Sequence, residues 1–186
     1  LSNGIYDATI TISAPGAANS SQTIGVTLYV AGTFDESKKA VSLSMKVNFV
    51  TNKLSSASLK GFIDLPVGTV VSNVAAQLSI GSVSVPFMLN GKGTGVHGDK
   101  LTGVSSLKLS RKGKPVSSNQ LWQVTGKLKG DWDTLWADDG LINVTTNNMP
   151  VTVPVLLLLD SDPPESFYVE KSLLYKAKQG KSGSAK

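Results

Sequence analysis

Alternation of apolar and polar residues at a period of two runs through almost the whole chain. It restricts the possible folds more than any other feature of the sequence. The stretches from Tyr6 to Ile12, Ile24 to Val30 and Val41 to Val47 each place apolar side chains on one face of an extended strand. Further runs at Leu59 to Leu65, Leu78 to Leu89, Val104 to Leu109, Leu121 to Leu128, Val151 to Leu159 and Phe167 to Lys178 read as strands too. Turn-forming clusters separate them, among them Pro15-Gly16, Asn90-Gly91, Lys112-Gly113, Asp139-Gly140 and Asp162-Pro163-Pro164. Only Val71 to Gln77 and Asp131 to Ala137 leave room for a short helix. The expected fold is therefore all-β, an antiparallel β-sandwich or flattened barrel of about ten strands.

A partial internal duplication runs through this pattern. Leu59-Lys60-Gly61 recurs as Leu128-Lys129-Gly130, and Val83 to Leu89 recurs as Val151 to Leu157, with Pro86 and Pro154 at matching places. Leu107 to Lys114 echoes Leu174 to Lys181, so the copies cover approximately 59–114 and 128–181. Each copy exposes an apolar face when alone, so both are expected to share one core in a single domain, 1–186. Proline cannot donate to a sheet ladder, which predicts an edge or a bulge at Pro86 and Pro154. Gln179 to Lys186 has the small, polar composition of an unstructured end.

Composition removes several classes of chemistry. The chain has 186 residues, 40% hydrophobic and 17% charged, enough to bury a core. It has no Cys, so disulfides, thiolate metal sites and Cys nucleophiles are excluded, and its single His97 excludes any site needing two imidazoles. The longest apolar run, Val151 to Leu159, is interrupted by Thr152 and Pro154 and falls short of the ~20 residues of a transmembrane helix. The sequence opens at Leu1 without a leader, the expectation for a processed or excised chain. Sparse charge on a Ser-, Thr- and Asn-rich surface suggests an exported protein, extracellular or at a cell surface.

Charge is segregated along the chain. Residues 92–129 carry seven Lys and Arg111 against Asp99 alone, residues 130–170 carry six Asp and two Glu with no basic residue, and residues 171–186 carry five Lys and no acid. Of the 18 basic residues 17 are Lys, which argues against specific nucleic-acid readout, where Arg supplies the bidentate contacts. The blocks suggest instead complementary faces on identical copies, with Lys171, Lys176, Lys178 and Lys181 meeting an acidic face that includes Asp138 and Asp139.

Three further constellations are candidates for chemistry. Asp160, Asp162 and Glu165 have the carboxylate density of a calcium loop, without EF-hand spacing. Trp132 and Trp136, flanked by Asp131 and Asp133, have the make-up of a sugar-stacking platform; Trp122, alternating with Val124, reads as core. Asn90 to Asp99 holds four glycines but lacks phosphate-loop spacing, and His97 has no Gly-x-Ser-x-Gly elbow to serve. The sequence reads as a non-catalytic module acting in self-assembly or structural interaction with copies of itself or another surface protein. The alternatives are a carbohydrate-binding module and a barrel carrier of a small apolar ligand.

Overall fold

The computed structural model describes residues 4–16, 18, 20–115 and 118–186. Their strands are β1 Gly4–Ser13, β2 Ser21–Val30, β3 Gly32–Thr33, β4 Ser42–Asn48, β5 Ser55–Pro66, β6 Ala75–Ile80 and β7 Val83–Met88. There follow β8 Thr94–His97, β9 Ser105–Arg111, β10 Asn119–Gly130, helix α1 Asp133–Ala137, β11 Thr146–Leu159, β12 Glu165–Lys178 and β13 Ser182–Ala185. None of the described helices is long and apolar enough to cross a membrane.

Among the described residues, strands β1 and β2 pair only with each other, in register from Gly4 opposite Val30 to Ser13 opposite Ser21. The rest form one 11-stranded sheet in the order β7-β6-β11-β12-β13-β4-β5-β10-β9-β8, with the short β3 parallel to β12. The two ends of that order, β7 and β8, follow one another in sequence. The sheet therefore comes almost full circle and is nearly closed, like a barrel. Gly95 makes the approach possible, because a Cβ there would lie 2.9 Å from Phe87 Cβ and 3.1 Å from the Met88 carbonyl oxygen.

Alternation does what the sequence implies. Ala57, Leu59, Ile63 and Leu65 of β5 and Val151, Val153, Val155, Leu157 and Leu159 of β11 all turn inward. They join one apolar cluster that fills the interior, with Trp136, Tyr175 and Phe167 as its largest fully buried side chains. Each buried Leu or Ile contributes roughly 1.5–3 kcal/mol relative to exposure. Among the described side chains of β1 and β2, none belongs to this cluster.

The structure refines several expectations. The run from Leu78 to Leu89 is two strands, because Gly81 and Ser82 form a two-residue turn with Gly81 at φ +58°. Val71 to Gln77 is a turn followed by the first three residues of β6, with Asn73 in the left-handed region at φ +59°, while the second helical stretch does hold α1. Pro86 lies on an end strand, as expected, but Pro154 lies on β11, an inner strand. It is tolerated there because β6 has already turned away: the Gly81 N–H donates to the Pro154 carbonyl (2.8 Å), and the ladder with β6 begins at Val155. The duplicated segments land on β5 and β10, on β7 and β11, and on β9 and β12.

The polar tail is a strand. After a turn at Gly180 (φ +66°), β13 runs back along β12, with Lys176 opposite Ser184, and its other edge pairs with β4, with Ser184 opposite Lys46. Gly183 faces inward over Tyr175, whose hydroxyl donates to the Ile142 carbonyl (2.9 Å); a Cβ on Gly183 would collide with the tyrosine ring and hydroxyl. Overpacking of this kind costs about 1–3 kcal/mol. Gly183→Val is therefore expected to lower stability by that amount in urea titration, with an unchanged slope, whereas Ser184→Val on the outer face leaves stability nearly unaltered.

Candidate functional site

The carboxylate and tryptophan clusters do not assemble as the sequence suggested. Trp136 is 0% exposed and its indole Nε1–H donates to the Ile80 carbonyl at 2.9 Å, so helix α1 seats this ring in the core. Trp132 is half-buried, edge-on to Trp136 at 5.4 Å and 75°, with its indole lying against Gly130. A two-ring platform is not formed, because one ring is spent on core packing. Asp131 is exposed and Asp133 half-buried beside them. Trp122 is core, with Arg111 stacked over its ring at 5.4 Å.

Of the calcium candidates, Asp160 and Asp162 are exposed, while Glu165 is buried at 5% exposure. Among the described residues no three His, Asp or Glu side chains gather as a metal-ligating group. Burial alone pushes the Glu165 carboxyl above its usual range. His97 stands exposed at the end of β8, edge-on to Phe87 at 6.4 Å.

The acidic block does not form a single face either. Asp131, Asp133, Asp138 and Asp139 surround α1, whereas Asp160, Asp162 and Glu165 sit at the turn between β11 and β12. Asp139 accepts the Ser82 N–H at 2.7 Å; burial raises its carboxyl, and that hydrogen bond partly opposes the rise. Asp138 is exposed. Lys171 is already used within the molecule, paired with Glu36 at 3.0 Å, and its hydrogen bond holds Glu36 below the usual carboxylate range. Lys176, Lys178 and Lys181 remain exposed on and beside β12.

What the sequence did not reveal is the β1–β2 ribbon. Register places Tyr6, Ala8, Ile10 and Ile12 opposite Leu28, Val26, Ile24 and Gln22, so one face is apolar except where Gln22 ends it. The other face carries Asp7, Thr9, Thr11, Thr23 and Thr27, with the Thr27 hydroxyl donating to Asp7 at 2.7 Å. Ile10, Ile12, Ile24, Val26 and Leu28 are 38–55% exposed. The ribbon joins the barrel through its base, where Ser166 Oγ donates to the Val30 carbonyl (3.0 Å) and β3 pairs with β12. The signal was present in the alternation of 6–12 and 24–30, but alternation alone does not say whether the dry face is covered.

Glu165 supplies a pH test of this arrangement. Its carboxyl is raised above 4.5 in the folded protein, so the folded chain holds that proton more tightly than the unfolded chain does. Its effect on stability is therefore favourable at low pH and is lost as pH rises from about 4.5 through the folded value. Glu165→Gln is expected to be more stable than the parent at neutral pH and to lose that advantage towards pH 4, measured by urea denaturation across the range.

Comparison of the chain with protein-family models, with curated proteins and with solved structures finds no match.

Proposed function

We propose that this chain is a non-catalytic β-module that works outside the cell by associating with copies of itself, as a structural or assembling component. The observation that carries this reading is the exposed apolar face of the β1–β2 ribbon. A sheet that is dry on one side and wet on the other is the pattern of a strand pair that covers a core. Here the dry side lies outside the barrel's core cluster. A two-stranded ribbon is also marginal by itself in water, so burial of this face stabilises the ribbon as well as the contact.

The face is suited to its own image. Ile10 lies opposite Ile24 and Ala8 opposite Val26, so both strands offer aliphatic side chains of similar reach. Two copies stacked face to face make a four-stranded sandwich with the usual spacing of about 10 Å between layers. Two ten-residue strands span a patch of roughly 30 by 10 Å, about 300 Å² per copy and well below the ~800 Å² per partner of a stable specific interface. The association is accordingly weak and concentration-dependent, and its apolar character makes it persist at high salt. The sparsely charged, hydroxyl-rich outer surface supports placement outside the cell.

Light scattering over a concentration series tests the reading. The parent chain is expected to grow in mass with concentration at both low and high salt. Ile10→Lys combined with Ile24→Lys is expected to remain monomeric, with the barrel's thermal transition unchanged, because neither residue belongs to the core. A parent chain that stays monomeric throughout, or association that survives both substitutions, would refute it.

A further inference from the structure

The outer surface of the sheet holds a second feature, independent of the ribbon. Read across the strands rather than along the chain, residues facing outward on β12, β13, β4, β5 and β10 form a row: Lys176, Ser184, Lys46, Ser56 and Lys129, each opposite the next. The row beside it places Ser44, Ser58 and Lys127 opposite one another, and the next places Ser42, Lys60, Thr125 and Lys108 together. The residues named in these rows are lysines and hydroxyls, and the middle row continues through Lys186 to the exposed Leu174 of β12.

The rows are not flat. Strand β13 is built from Ser182, Gly183, Ser184 and Ala185, and these small residues form a low floor between β12 and β4. The walls rise on the long side chains of Lys46, Lys176, Lys178 and Lys186, which enclose a groove of about 500 Å³. Through Lys46 and Ser182 it continues into a second depression of about 780 Å³ that adds Lys53, Lys129 and Lys181. No acidic residue lines either one. Among the described residues the ion pair found is Lys171–Glu36, so none of these seven ammonium groups has a carboxylate within salt-bridge distance. Seven ammonium groups with no acidic side chain among them make one shallow channel strongly positive, a local field that draws in an anion.

We infer that this groove binds a linear acidic polysaccharide, a glycan carrying one carboxylate or sulfate on alternate sugars. Lysines on every second strand stand about 10 Å apart, the spacing of two strand separations. That matches a polymer charged once per disaccharide. Duplex DNA carries a charge every ~1.7 Å, far denser than this row. Single-stranded nucleic acid is gripped by aromatic stacking and Arg, and neither lines the groove. The intervening Ser44, Ser56, Ser58, Ser182 and Ser184 offer hydroxyls, which both donate to and accept from sugar hydroxyls. An open groove across the strands accepts a chain entering and leaving at both ends, so internal stretches of polymer are recognised rather than termini.

The test uses the purified 186-residue chain and hyaluronate, which bears a carboxylate on alternate sugars, with affinity electrophoresis and calorimetry as readouts. Hyaluronate is expected to bind and uncharged dextran not to bind, with affinity falling as salt is raised. Replacing Lys46, Lys129 and Lys176 together by Ser is expected to weaken binding about tenfold or more. Replacing Lys92, Lys112 and Lys114 by Ser removes the same net charge elsewhere and is expected to leave binding nearly unchanged. A thermal transition matching the parent's establishes that each variant is folded. The inference is overturned by absence of hyaluronate binding or by equal loss in both triple variants, which would mean attraction by net charge alone. Equal or tighter binding of duplex DNA or of phosphatidylserine vesicles would overturn it in favour of a nucleic-acid or membrane surface.

Discussion

One-sided burial of each strand is the condition on which the rest of this molecule rests. Once Leu43, Met45 and Val47 of β4 or Leu107 and Leu109 of β9 enter the common core, the residues between them have no choice but to face water. The outer surface is then written by the partner set of each strand, since register brings distant outward residues side by side. A slip of one residue between two neighbours would invert every side chain of a strand. The fixed points against such slips are few and specific: Gly183 beneath Tyr175, Trp136 bonded to the Ile80 carbonyl, and Asp139 holding the Ser82 amide.

Fold class was legible because alternation, turn residues and the near absence of helix all pointed the same way. Strand number was less so. Gly81 and Ser82 break a run that otherwise alternates without interruption from Leu78 to Leu89, and a two-residue turn leaves hardly any mark in a Ser-rich sequence. The tail was the larger surprise. Ser182 to Ala185 has no apolar run at all, yet it forms a strand because β12 and β4 each have an edge of unpaired backbone groups, and backbone pairing does not depend on side-chain character.

Function was harder to read for a related reason. Charge counted along the chain divides it into basic, acidic and basic blocks, which suggested opposed faces. Folding scatters the acidic block between α1 and the β11–β12 turn, and it collects lysines from places the count treated as unrelated. Lys46 and Lys60 come from a nearly neutral stretch, Lys127 and Lys129 from the first basic block, and Lys176 and Lys186 from the last. Alternation did show that these lysines share an outer face within each strand. Only strand order and register could show that the faces join. The ribbon posed the opposite problem: its face was legible, and its isolation was not.

The position of β13 has a consequence for how the molecule comes together in time. This strand pairs with β12, its neighbour in sequence, and with β4, which lies almost a whole barrel's length earlier in the chain. Without this strand, β12 and β4 would face each other as open edges, with a gap in the barrel wall at the floor of the lysine groove. Pairing segments so far apart in sequence is slow relative to local pairing. Two such open edges are the kind of place where a neighbouring chain inserts most readily. The lysines flanking the gap, Lys46 on one edge with Lys176 and Lys178 on the other, place like charges on the strands that would have to meet, so the residues that line the finished groove also keep its unfinished edges apart from other chains.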